Sequence, residues 1–345
     1  MPAPAPLHLA AEIGGPPRDD ADRLVRLART AEEGLLDFVT LADSFGGPGP
    51  DALGALARTA PETGRIGLVP TVTTTHTEPF HVQAGVATLD WVSRGRAGWR
   101  VDVSTSAAEN RLVGRRETLG PAAAWAEAGD VAEVSRLLWD SWEDDAEIRD
   151  TSTGRFVDRD KLHYVDFAGA TFGVRGPSIV PRPPQGHPVT VVDASAAVSR
   201  DAAARHADVV LLRAGTAEEA AARGADIRAR AAAHGRDPGT LRILATLVVD
   251  LGDRPAASAP GGGHFGGSPA QLADLIARWH AGGAVDGFHL VPLDPATGLA
   301  RITGGTVAAL RERGLFRTRY EATTLRGHLG LARPVSQYAT TGGAS

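Results

Sequence analysis

Polar side chains recur at one kind of place in this 345-residue chain, at the end of short apolar runs. Glu12 follows "LHLAA", and Asp43 and Ser44 follow "LDFVTLA". Thr73, Thr74, Thr75 and His76 sit in "TVTTTHTEP", and Arg100, Asp102 and Ser104 in "WRVDVS". Asp193 and Ser195 close "VVDAS", and His289 and Asp294 mark the last such run. Carboxylates in such a set suit acid–base work or a hard cation. An arginine suits an anion, and a histidine can move a proton near neutral pH. Each residue also has a structural reading. The threonines are good strand formers, Asp43 can cap the Gly-Pro loop that follows it, and Arg100 can pair with Asp102. Other chemistries are excluded. With no cysteine there is no disulfide or thiolate. There is no HExxH and no GxSxG, and "GGGHFGG" lacks the Lys-Ser/Thr end of a phosphate loop. His206, His234, His280 and His328 fall on helices or tails and read as packing or surface residues.

The elements that must position these groups alternate. Strands are expected at 7–13, 36–43, 65–73, 99–103, 188–195, 207–214, 241–249 and 285–293. Helices are expected at 19–34, 50–64, 79–95, 121–142, 196–206, 217–235, 269–283 and 304–314. Eight strand–helix units predict a parallel (β/α)8 TIM barrel, whose functional groups gather where its strands end. Within "WRVDVS" the alternation puts Trp99, Val101 and Val103 on one face and Arg100 and Asp102 on the other. Residues 143–187 interrupt the rhythm as an insertion with a small hairpin at 164–177. Residues 250–269 read as a loose Gly/Pro-rich connection, and 319–334 as a C-terminal extension, all within one domain spanning 1–345. The net charge of −5 gives no footprint for nucleic acid. The N-terminus lacks a secretory pattern, and no apolar run reaches the roughly 18 residues of a membrane span. The expectation is a cytoplasmic protein.

Longer segments resemble a known family. "GLLDFVTLADSF", "RIGLVPTVTTTHTEPFHVQAGVATLDWVSRGRAGWRVDVS", "HYVDFAGATFGVRGPSIVPRPPQGHPV" and "LRERGLFRTRYEATTLRGHLGLARP" are similar to bacterial-luciferase-like flavin monooxygenases. The branch is that of the nitrilotriacetate, pristinamycin and dibenzothiophene-sulfone enzymes. The resemblance runs from about residue 20 to 334. It implies a barrel with insertions, a homodimer, reduced FMN delivered by a separate flavin reductase, and O2 used on a small organic substrate. Carried over by position, Asp43, Thr75, Arg100, Asp193 and Ser195 would line the flavin cavity, with Ser195 near the phosphate. His76 is the candidate catalytic residue, and no metal is implied.

The departures from the family pattern fall at the same places. The family's Asn after Gly-Trp is Arg100, its Tyr before Asn-Glu-Pro is His76, and Pro121, Ala124 and Trp125 replace a His, Arg and Tyr expected to meet the phosphate. Asp193 brings a carboxylate towards that end. The loop "GGPPRDD" and the 250–268 region are short. Four readings stay open: an FMN-dependent monooxygenase with a remodelled site, a barrel without catalysis that serves as a partner subunit, a deazaflavin-dependent oxidoreductase, and a carboxylate-lined hydrolytic or metal site.

Overall fold

The computed structural model describes residues 6–15, 20–113, 116–252 and 262–339. Its core is built from β1 (His8–Glu12), β2 (Phe38–Leu41), β3 (Gly67–Thr73), β4 (Gly98–Asp102), β5 (Val189–Asp193), β6 (Val209–Leu212), β7 (Arg242–Asp250) and β8 (Gly287–Pro292). All neighbours are parallel. Each strand pairs with the next in sequence, and β8 returns to β1, so the ring closes as a (β/α)8 barrel. Closure leaves no barrel edge to pair with another chain.

Strand alternation then separates two environments. Trp99 and Val101 of β4 point outward into the layer shared with the helices, where Trp99 meets Trp139 edge-on with ring centroids 6.3 Å apart. The opposite parity points into the lumen. Its lower part is apolar, with Ala10, Phe38, Val69, Val189, Val191, Val209, Leu211 and Leu244 in one buried cluster. Leu325, Leu329 and Leu331 of the C-terminal extension complete that cluster, so the extension plugs the barrel floor. Gly67 allows the approach, because a Cβ there would lie 2.6 Å from Leu325 Cδ1.

Around the plug, aspartates precede alternate strands. Asp37, Asp208 and Asp286 stand one residue before β2, β6 and β8. Each accepts a backbone N–H at the start of the preceding strand: Leu9 at 2.7 Å, Thr190 at 2.9 Å and Ile243 at 2.7 Å. Two of them meet cations, Asp37 that of Arg317 just ahead of the extension and Asp208 that of Arg326 within it, the latter at 2.8 Å.

Three features differ from the sequence expectation. The interruption at 143–187 holds two hairpins, Glu147–Asp150 with Arg155–Val157 and Val165–Ala168 with Gly173–Gly176, of which only the second is expected. In the Gly/Pro-rich connection, residues 253–261 lie outside the described residues, as do 16–19 of "GGPPRDD". Beyond the former, His264–Gly266 forms a strand beside the end of β7. The last helix divides into Pro295–Arg301, a π turn at Ile302–Thr306 and Val307–Glu312. Gly305 lies in that turn, where a Cβ would come 2.6 Å from Pro269.

Burial by itself would raise the Asp208 carboxyl, but the charges of Arg326 and Arg136 and the Thr190 N–H overcome it and hold the carboxyl below its ordinary value. That stabilisation is present above the unfolded-state value of 3.8 and is lost as pH falls through the lower folded value. Arg326→Ala leaves a buried carboxylate unpaired and is expected to destabilise the fold by about 3–5 kcal/mol at neutral pH. Urea denaturation at pH 7 and pH 4 measures it. The deficit should shrink at the lower pH, where protonation of Asp208 removes the uncompensated charge.

Candidate functional site

At the C-terminal half of the strands the lumen turns polar. Arg100 of β4 and Glu12 of β1 belong to strands that are not neighbours, so they meet across the lumen, Nη1 to Oε2 at 3.8 Å. Both side chains are largely buried, at 17% and 9% exposure. The contact is an ion pair without a hydrogen bond, and the Arg100 guanidinium donates no hydrogen bond among the described residues. Glu12 is better supplied. It accepts from Thr40 Oγ1 at 2.9 Å, from the Ala42 N–H at 2.9 Å and from the Gly14 N–H at 3.3 Å. Burial still pushes its carboxyl above the ordinary value, against the opposing charge of Arg100.

The chain of contacts continues through His289 of β8. Its Nε2 lies 2.7 Å from Thr40 Oγ1, and its Nδ1 lies 3.4 Å from Thr246 Oγ1 of β7. Because Thr40 gives its proton to Glu12, the histidine must donate from Nε2 and accept at Nδ1. One tautomer therefore satisfies the whole run from Thr246 through His289 and Thr40 to Glu12. Burial, with the charges of Arg100 and Arg213, pushes His289 down to about 3, so it is a neutral structural link and not a base at neutral pH.

The remaining expected residues divide. Asp102 faces the mouth. Burial raises its carboxyl and nearby Asp193 and Glu109 raise it further, against the Val103 N–H and Arg100. Asp193 is half-buried, and its Oδ1 accepts the Ser195 N–H at 2.8 Å. Ser195 Oγ accepts the Arg213 N–H at 3.0 Å and keeps its own proton to donate. Asp43 accepts the Ala52 N–H at 2.9 Å and so ties its loop to the following helix. Thr75 is buried, and its Oγ1 accepts the Ser104 N–H at 3.1 Å, joining the loops after β3 and β4. Asp294 caps the Pro295–Arg301 helix.

His76 sits at a left-handed φ of 69°, with Phe45 edge-on at 5.9 Å. Its Nδ1 has no partner among the described residues. Burial, then the charge of Arg116, lowers its pKa against the pull of Glu127 and Glu109. Arg116 is itself held by a bidentate pair with Glu127.

Four further residues complete the site. Thr40 and Thr246 carry the buried chain. Thr71, opposite Arg100 in the β3–β4 ladder, is 2% exposed and its hydroxyl has no partner among the described residues. Arg213 follows β6 with the inward parity of Leu211, is exposed, and forms no ion pair among the described residues. The alternation in "ADVVLLRA" carries the signal for Arg213, and "FVTLAD" carries it for Thr40. Among the described residues no group of three or more His, Asp or Glu side chains is placed to hold a metal ion.

Thr40→Val removes the donor to Glu12 and the acceptor for His289 together. It is expected to cost about 1–3 kcal/mol, because both partners are left buried and unsatisfied. Thermal denaturation checks the size. NMR of the imidazole signals checks the premise, since His289 should show no titration from pH 8 down to pH 5.

Comparison with known proteins places this geometry. A family model described as luciferase-like monooxygenase matches residues 4–259. A component of nitrilotriacetate monooxygenase from Aminobacter aminovorans is 32% identical, covering 93% of this chain and 92% of its own. That alignment spans 416 positions, more than the 345 residues present here, so the relative carries insertions that this chain lacks. One of the subunits of pristinamycin IIA synthase from Streptomyces pristinaespiralis is 32% identical over 343 positions, covering 98% of this chain and 99% of its own. The crystal structure of a long-chain alkane monooxygenase superposes with a TM-score of 0.84 over 94% of this chain and 95% of that one, at 23% identity, a likeness of fold. The match of the family model over most of the chain and two relatives above 30% identity agree: this chain belongs to the luciferase-like monooxygenase family.

Proposed function

We propose that the chain is the oxygenase component of a two-component system, taking reduced FMN from a separate flavin reductase and using O2 on a small organic substrate. The observation that carries this reading is the pair of arginines at two depths of the mouth whose guanidinium groups donate no hydrogen bond among the described residues. Arg100 lies on its polar floor and Arg213 on its rim. A reduced flavin mononucleotide presents negative charge at its ring and at its phosphate, one for each of these cations. The flavin supplies the reaction with oxygen; the protein supplies position, charge and dryness.

The residues fit the ring end better than the phosphate end. Arg100 borders the ring space as a counter-charge, with Asp43 and Thr75 holding the loops around it. At the other end Asp193 already accepts the Ser195 N–H. The phosphate is therefore left with the Ser195 hydroxyl proton and Arg213, with Asp193 opposing. His76, neutral at physiological pH because its pKa is lowered, is the proposed proton acceptor at the rim. A homodimer in the cytoplasm goes with this reading.

A second reading, a partner subunit without catalysis of its own, is favoured by the end-to-end match to a single subunit of a synthase and by the Asp193 turn that satisfies itself. Anaerobic titration with reduced FMN separates the two. The oxygenase reading expects saturable binding, weakened about tenfold or more by Arg100→Ala, as for loss of a charge-assisted contact. Folded protein that binds no flavin selects the partner-subunit reading. Binding of a deazaflavin in preference to FMN would change the reaction to hydride transfer.

A further inference from the structure

Asp193, Ser195 and Arg213 come together where β5 and β6 end, because the Arg213 N–H donates to Ser195 Oγ at 3.0 Å. The turn after β5 has little left for an anion. Its Ala194 N–H donates to the Leu211 carbonyl at 2.8 Å, and its Ser195 N–H to Asp193 Oδ1 at 2.8 Å. What remains there is the Ser195 hydroxyl proton. Two full charges then decide the balance. The Arg213 guanidinium donates no hydrogen bond and forms no ion pair among the described residues. It reaches the lumen, since after burial and Arg100 its charge adds to the lowering of His289. The Asp193 carboxylate is half-buried, and its charge adds to the burial that raises Asp102 on neighbouring β4. Asp193 and Arg213 form no ion pair with each other among the described residues. Both are tied to Ser195, one through its N–H and the other through its Oγ. An anion at the Ser195 hydroxyl therefore meets opposite unit charges, whose Coulomb energies offset.

We propose that Asp193 is a specificity residue that takes the flavin phosphate out of recognition, so that the mouth binds reduced riboflavin as tightly as reduced FMN. The inference rests on the oxygenase reading and names which forms of the cofactor the same site distinguishes. Arg213 attracts a phosphate, Asp193 repels it, and the Ser195 hydroxyl alone contributes one hydrogen bond against water. The ring is then the recognised part of the flavin. Charge, not shape, sets this selectivity. Asp193→Asn isolates the charge, because the asparagine Oδ1 still accepts the Ser195 N–H.

The parent chain, Asp193→Asn, Arg213→Ala and the double variant are titrated anaerobically with reduced riboflavin and with reduced FMN. The parent is expected to bind the two within about threefold of each other, because the opposite charges offset. Asp193→Asn should favour FMN by about tenfold and Arg213→Ala should favour riboflavin by about tenfold, as for one charge-assisted contact. The double variant should return to near parity, with riboflavin affinity constant across the set. Arg213 is exposed, so its variant reads the field of Asp193 even where a change at Asp193 disturbs folding. A parent that prefers FMN by about tenfold or more, or an Asp193→Asn chain that keeps parity, overturns the proposal. So does an FMN preference gained by Asp193→Ala but not by Asp193→Asn, which assigns the effect to the hydrogen bond of the turn. A parent that binds neither flavin removes the oxygenase reading. In that case FMN binding gained by Asp193→Asn upholds the role of Asp193, and its absence overturns it.

Discussion

A closed barrel lumen has no bulk water, so every inward polar side chain must find a partner across the ring or face the mouth. That constraint organises this molecule. Below, the lumen is filled with aliphatic side chains and asks for nothing. Above, Thr246, His289, Thr40 and Glu12 satisfy one another in a single directed run that links β7, β8, β2 and β1. Arg100 stands at the end of that run with its fork unfilled. The run holds Glu12 still, Glu12 holds Arg100 by charge alone, and the guanidinium remains available to whatever enters.

The same constraint acts at the opposite end. Strand starts expose backbone N–H groups at the floor, and aspartates placed one residue before β2, β6 and β8 collect them. Buried carboxylates need counter-charges, and the C-terminal extension with the turn before it brings Arg326 and Arg317 along with the leucines that seal the lumen. The extension is thus part of the barrel core, and its apolar and ionic contacts are coupled. Removing a cation leaves an anion inside the plug.

Much of this architecture was legible in the sequence, because a buried parallel strand and an amphipathic helix leave different periodicities. The eight strands appear in the expected order, and Arg100 and Asp102 take the inward face that the alternation of "WRVDVS" assigns them. The site was legible only in part. Glu12 stands at a strand end and His289 is a histidine inside an apolar strand, but their partner Thr40 lies inside β2 and reads as an ordinary strand former. Thr71 is hidden in the same way within β3. Arg213 needs only the parity of β6 carried one residue past its end. The roles of Asp43 and Thr75 depend on which backbone N–H groups the loops bring near, and spacing along the chain does not encode that.

The length of the chain bears on how the mouth works. An alignment of 416 positions that covers 93% of a 345-residue chain describes a relative with insertions, whereas the alignment to the pristinamycin synthase subunit has 343 positions and covers 98% of this chain. Oxygen chemistry on a reduced flavin requires that water be kept from the reacting atoms. Whatever group occupies the mouth contributes to that exclusion by taking the place of water. An anion seated on Arg100 would itself displace water from the floor, completing the partner count that the lumen imposes.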